Sequence, residues 1–144
     1  MRILVLHGPN LNLLGLRNKD IYGQFSQDDI LVHLRSVFPS FSFHLFQSNH
    51  EGELIDIIQR KEYDALIINL GGYTHTSVSI HDALETIKPL AVEVHISHVE
   101  KREDFRQRSL VAAHCVGTIS GFGLAGYEMA ARYLTTNYAP TSAS

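Results

Sequence analysis

The chain has 144 residues, with 12 Lys and Arg against 15 Asp and Glu, a formal net charge of −3, 9 histidines and 1 cysteine. That length holds one hydrophobic core without a disulfide or metal staple, and the interspersed charges offer neither a basic face for nucleic-acid phosphates nor a polybasic membrane segment. The opening MRILVLHGPN has too short an apolar run for a signal-peptide core or a membrane span, so a cytoplasmic protein with no membrane and no nucleic-acid partner is expected.

Apolar runs and helical periodicity alternate along the chain. Ile3 to Leu6 reads as a strand, and Ile30, Leu34, Val37 and Phe38 mark a helix whose start is signalled by Ser26 with Asp29 three residues on. Phe43 to Phe46 is a second strand, followed by a helix with Leu54, Ile55 and Ile58 on one face. Ala65 to Leu70 is a third, and its continuous apolar content suits a parallel strand covered on both sides. Ile80, Ala83, Leu84 and Ile87 form a helical stripe that Pro89 helps end. Leu90 to Val94 and Val116 to Ile119 are the last strands, and Tyr127, Ala130, Ala131 and Leu134 give the closing helix. Strict alternation implies right-handed crossovers and an α/β flavodoxin-like three-layer sandwich, with a five-stranded parallel sheet in the order 2-1-3-4-5. Residues 1–138 are expected to form a single domain and 139–144 a frayed tail.

In such sheets ligands sit beyond the carboxyl ends of the strands, where strands 1 and 3 diverge. The loop over residues 8 to 25 leaves strand 1 there, and it exceeds the usual ~2–6 residues of a strand-to-helix connection. It carries Arg17 and Tyr22 in a stretch otherwise rich in small and amide side chains. Asn69 closes strand 3 at the same edge, followed by GGYTHTS (71–77), whose glycines permit close backbone approach and whose hydroxyls lead into a helix. Glu93 and His95 close strand 4. Residues two apart on a strand share a face, so Glu93 can orient His95, with Ser97, Arg102 and Arg106 in the neighbourhood.

Other motifs carry less. GFGLAG (121–126) matches a dinucleotide-binding pattern, but only 18 residues follow it and none continues into a strand, so it reads as a tight strand-to-helix turn. His50-Glu51 begins like a zinc-binding helix, yet Leu54 stands where the second ligand belongs, and His95 with His98 could share a metal only across a sharp turn. No serine-hydrolase elbow or phosphate-binding loop is present. Cys115 reads as a small buried hydrophobe.

GPNLNLLG with Arg17 and Tyr22-Gly23, then NLGGYTHTS, then EVHIS followed by REDFR, together resemble the type II 3-dehydroquinase family, in order and in spacing, from about residue 3 to residue 134. The resemblance implies dehydration of 3-dehydroquinate to 3-dehydroshikimate by trans elimination through an enolate, with no cofactor, metal or Schiff base. It also implies a homododecamer built as a tetramer of trimers. Position by position, it makes Tyr22 the base, Arg17 the cation that favours its phenolate, His95 the acid for the departing hydroxyl and Glu93 its support. Asn10 helps stabilise the enolate through an ordered water. Asn69, His75, Ile96, Ser97 and Arg106 match positions that hold the substrate, and Asp82 matches a residue that reaches into a neighbouring subunit's site.

Two departures from the pattern of that family stand out: Asn18-Lys19 replaces Glu-Pro after the loop arginine, and His98 replaces Asn after EVHIS. The lost proline frees the loop backbone, and His98 places a second imidazole near His95. His75 or His98 as the base is the competing assignment. A flavin- or nucleotide-binding module and a non-catalytic small-molecule receptor are the alternatives from other classes.

Overall fold

Strand alternation decides which side chain enters which layer. In β1 (Arg2–His7), Ile3 and Val5 face one layer and Leu6 the other; in β3 (Ala65–Asn69), Ala65 and Ile67 oppose Leu66 and Ile68 in the same way. β1 and β3 pair side by side, β2 (Ser42–Gln47) flanks β1, and β4 (Ala91–His95) and β5 (Gly117–Ser120) follow β3. The resulting all-parallel order is β2-β1-β3-β4-β5. The structure, a computed structural model, describes residues 1–16, 18–22 and 24–138, with Lys19 and Tyr22 described at the backbone. The expected 139–144 tail lies outside the described residues.

One face is covered by α2 (Gln27–Val37) and α6 (Ala125–Asn137). Ser26 opens α2 through a reciprocal capping box with Asp29, and Ile30 and Leu34 are fully buried. In α6, Tyr127, Ala130, Ala131 and Leu134 recur at i, i+3, i+4 and i+7 and enter the same core. The opposite face is covered by α3 (Glu51–Arg60) and α5 (Val78–Ile87), which bury Leu54, Ile58, Ile80 and Leu84. A fully buried leucine such as Leu84 contributes enough that truncation to alanine costs about 2–5 kcal/mol.

Observed strands begin or end a residue or so from their expected bounds, the usual uncertainty of element ends. The long first loop is less bare than expected. It holds a 3₁₀ turn, Leu11–Leu13, and a four-residue helix α1 (Lys19–Tyr22), both too short to leave a periodic signature; a third short helix, α4 (Tyr73–Thr76), precedes α5. Cys115 is only partly buried against the α3/α5 layer, and burial pushes its thiol up to about 12. GFGLAG forms the expected turn: Gly121 and Gly123 have positive φ, and Gly126 lies against Val94 and Ile119. Among the described residues no helix is long and apolar enough to cross a membrane.

Candidate active site

At the carboxyl edge of the sheet, where β1 and β3 diverge, a cleft is lined by Asn10 from the first loop, Asn69 and His75 from the β3 exit, and His95, Ile96, Ser97, Arg102 and Arg106 from the β4 exit. The topology supplies the crevice, because the chain leaves β1 toward β2 and returns on the other side through β3. The loops meet at contact distance. A Cβ on Gly8 would sit 2.1 Å from the Leu70 carbonyl oxygen, and one on Gly71 would sit 2.8 Å from the Pro9 carbonyl oxygen. Only glycine permits that crossing, which brings Asn10 beside Gly71 and Gly72 at the mouth of the cleft. Asn10 itself has φ 70°, a left-handed conformation that Asn tolerates, and its N–H donates to Asn49 Oδ1 at 3.0 Å.

Ala91, Glu93 and His95 share one face of β4, the face toward α3 and α5. Glu93 is fully buried, and four short contacts satisfy its carboxylate. Oε1 accepts from His95 Nε2 and from Ser109 Oγ, each at 2.8 Å, while Oε2 lies 3.2 Å from both Ser109 Oγ and Thr118 Oγ1. Ser109 can spend its proton on Glu93 because its oxygen accepts from the backbone N–H groups of Val111 and Ala112. Burial alone would raise the Glu93 carboxyl, but the hydrogen bond and charge of His95, with the two hydroxyl donors, outweigh it and hold the group below the usual carboxylate range. The His95 ring thus has Nε2 committed to Glu93, and it lines the cleft.

A second buried chain holds Asn69. His7 Nδ1 donates to Gln27 Oε1 at 2.7 Å, so its Nε2 accepts from Tyr127 O–H at 2.8 Å, and the Tyr127 oxygen accepts in turn from Asn69 Nδ2 at 3.1 Å. Gly71 N–H donates to Asn69 Oδ1 at 3.3 Å, which fixes both ends of the amide. Burial drives His7 down to about 4 despite the Gln27 contact, and drives the Tyr127 hydroxyl well above its ordinary range, so both are neutral near pH 7.

The remaining expected residues divide. His75 donates from Nδ1 to the Arg108 carbonyl at 2.8 Å, and its ring lies 6.3 Å from that of His95 at an interplanar angle of 17°. Arg102 Nη1 donates to Ser97 Oγ at 3.2 Å. Arg106 lines the cleft with its Nε tied to Glu103 at 2.6 Å. Asp82 stands on α5 away from the cleft, beside His81. His98 turns toward Glu100 at 3.2 Å and packs against Gly121, so it is not among the described residues lining the cleft. Arg17, Gly23 and the Tyr22 side chain lie outside the described residues. Sequence reasoning missed Ser109, Thr118, Tyr127 and His7 as supports of the site; their partners are distant in the chain and leave no local motif.

A family model described as "Dehydroquinase class II" matches residues 1–135. The chain is 47% identical over 146 residues to the 3-dehydroquinate dehydratase of Fusobacterium nucleatum, covering 96% of this chain and 99% of that protein. It is 48% identical over 136 residues to the 3-dehydroquinate dehydratase of Thermotoga petrophila, covering 93% and 94%. The crystal structure of a type II dehydroquinase from Butyrivibrio crossotus superposes with a TM-score of 0.89 at 43% identity, covering 94% of this chain and 97% of that one.

Proposed function

The chain belongs to the class II dehydroquinase family, and from that premise we propose that it removes water from 3-dehydroquinate to give 3-dehydroshikimate. The observation that carries this reading is the Glu93–His95 pair opening into a polar cleft that also presents the amides of Asn10 and Asn69, the hydroxyl of Ser97 and two arginines. The substrate is an anion with a β-hydroxyketone. Its dehydration needs a base for the carbon next to the ketone, a dipolar partner for the enolate oxygen and an acid for the hydroxyl that leaves.

In the mechanism we infer, Tyr22, as a phenolate favoured by Arg17, takes the proton from the carbon next to the ketone. The electron pair moves onto the carbonyl oxygen, and Asn10, acting through a water, stabilises the enolate. Collapse of the enolate expels the hydroxyl on the far side of the ring, and His95 protonates it so that it leaves as water. Glu93 anchors His95 through Nε2, which leaves Nδ1 as the nitrogen for that transfer. Asn69, His75, the Ile96 and Ser97 segment and Arg106 hold the hydroxyls and carboxylate of the substrate. Residues 1–138 act as one catalytic domain, and the loop carrying Arg17 and Tyr22 closes over the cleft, excluding water that would solvate the phenolate.

Subunits assemble as a homododecamer, a tetramer of trimers, in which Asp82 serves a neighbouring site. That role is consistent with its position outside the cleft of its own chain.

One assay tests the reaction: adding 3-dehydroquinate and following the ultraviolet absorbance of the conjugated enone in the product. Absence of that absorbance with folded protein would overturn the reading. Borohydride added during turnover should trap no substrate on a lysine, and an adduct would replace this mechanism by a Schiff-base route.

A further inference from the structure

Outside the cleft, ligand-type side chains converge where α5 meets the 3₁₀ turn Ala112–His114. His81 and Glu85 are four residues apart on α5 and so share one of its faces, and His114 comes from the turn. One donor atom from each of His81, Glu85 and His114 lies within 4.8 Å of the other two. The two imidazole rings meet edge to face, 4.5 Å apart at 68°.

Two further observations point to a ligand. Nε2 of His114 is shielded from solvent and has no hydrogen-bond partner among the described residues. A buried ring nitrogen ordinarily finds one. His81 Nδ1 lies 2.9 Å from Asp82 Oδ1, which places the ring proton on Nδ1 and the lone pair on Nε2. That is how a carboxylate sets the tautomer of a metal-binding histidine.

We propose that His81, Glu85 and His114 bind one divalent cation of the zinc class. Two imidazoles with one carboxylate suit a borderline-soft ion, whereas magnesium and calcium take oxygen donors almost exclusively. Tetrahedral bonds of about 2.0–2.1 Å put donors about 3.3 Å apart, so the three side chains must draw together by up to about 1.5 Å. Glu85 is exposed and can rotate to do so without disturbing the core. The bound ion ties α5 to the turn that follows Ser109, and the fourth position is open to water.

The test is calorimetric titration of chelator-stripped full-length protein with zinc chloride. The wild type should bind one submicromolar equivalent and gain thermal stability with it. Glu85→Gln and His114→Ala should each lose at least the ~100-fold at the upper end of what supporting residues contribute, and Asp82→Asn about 10–100-fold. If His114→Ala fails to fold, judged by circular dichroism without metal, Glu85→Gln at its exposed position decides alone. No tight equivalent in the wild type would overturn the proposal, and so would one that survives in the variants, because it would then belong to other histidines. No dehydratase readout enters, so this result and that of the proposed reaction fail independently.

Discussion

Glu93 Oε1 lies 2.8 Å from His95 Nε2, with the carboxylate fully buried and two side-chain hydroxyls supplying its remaining donors. Two residues apart on β4, the pair owes its shared face to strand period, and the carboxylate stays ionised through the hydrogen bond and charge of His95 first and then through hydroxyls from two other segments. Glu93→Gln should keep the fold but lower kcat, by up to about 100-fold if the acid step loses most of its alignment, with KM changed less; steady-state kinetics checks this. Ser109→Ala should cost about 1.5–3 kcal/mol of stability, the range for a hydrogen bond to a charged group, measured by urea unfolding.

The same carboxylate makes stability fall in acid. Its folded pKa is depressed below the unfolded value of 4.5, so its contribution is fully present above that value and is lost as pH falls through the lower folded value. Urea midpoints measured from pH 5 downward should fall more steeply for the wild type than for Glu93→Gln. Parallel slopes would show that Glu93 is not the group responsible.

His7 acts in a higher window. Its folded pKa is about 4 against 6.5 unfolded, so its contribution is complete above 6.5 and is lost as pH falls from 6.5 to about 4, when the unfolded chain takes up a proton that the buried ring refuses. The difference corresponds to roughly 3 kcal/mol across that window. His7→Gln should flatten the stability curve there, whatever its stability at pH 7.

Tyr127→Phe removes the hydroxyl between His7 and Asn69, leaving His7 Nε2 and Asn69 Nδ2 without that partner. The expected loss is about 1–3 kcal/mol in stability. A rise in KM larger than any fall in kcat should accompany it, because Asn69 is assigned to substrate binding. An unchanged KM would remove Asn69 from that role.

For the base, Tyr22→Phe should bind substrate but lose about 10²–10⁴-fold in turnover, the range for a general base. An unperturbed tyrosine ionises near pH ~10, so a phenolate at neutral pH needs cations within about 4–6 Å. Arg17→Ala should therefore shift the rise of kcat/KM with pH to higher pH. Retained turnover in Tyr22→Phe with an unchanged profile would transfer the role to a histidine. His75, which lines the cleft, would then be favoured over His98, which does not.

Light scattering of dilute protein should give the mass of twelve chains. If Asp82 serves a neighbouring site, Asp82→Asn should lose activity without dissociating the assembly. A fully active monomer would show that no subunit boundary is crossed.

The sequence by itself determined the order of the strands and of the four long helices, the sheet, and the edge where polar groups collect, because 3.6- and 2-residue periodicities are local and decide which face each side chain joins. It also placed Glu93 and His95 on one face, for the same reason. Only the tertiary structure decided which groups complete the site. Thr118 reaches Glu93 across 25 residues of chain, and Tyr127 reaches His7 across 120, pairings set by how whole layers stack. The fate of His98 was likewise outside local pattern: the path after β4 turns its ring to Glu100 and Gly121, leaving His95 to line the cleft. His81, Glu85 and His114 came together in the same way, since i, i+4 spacing supplied two of them and the packing of a turn against α5 supplied the third.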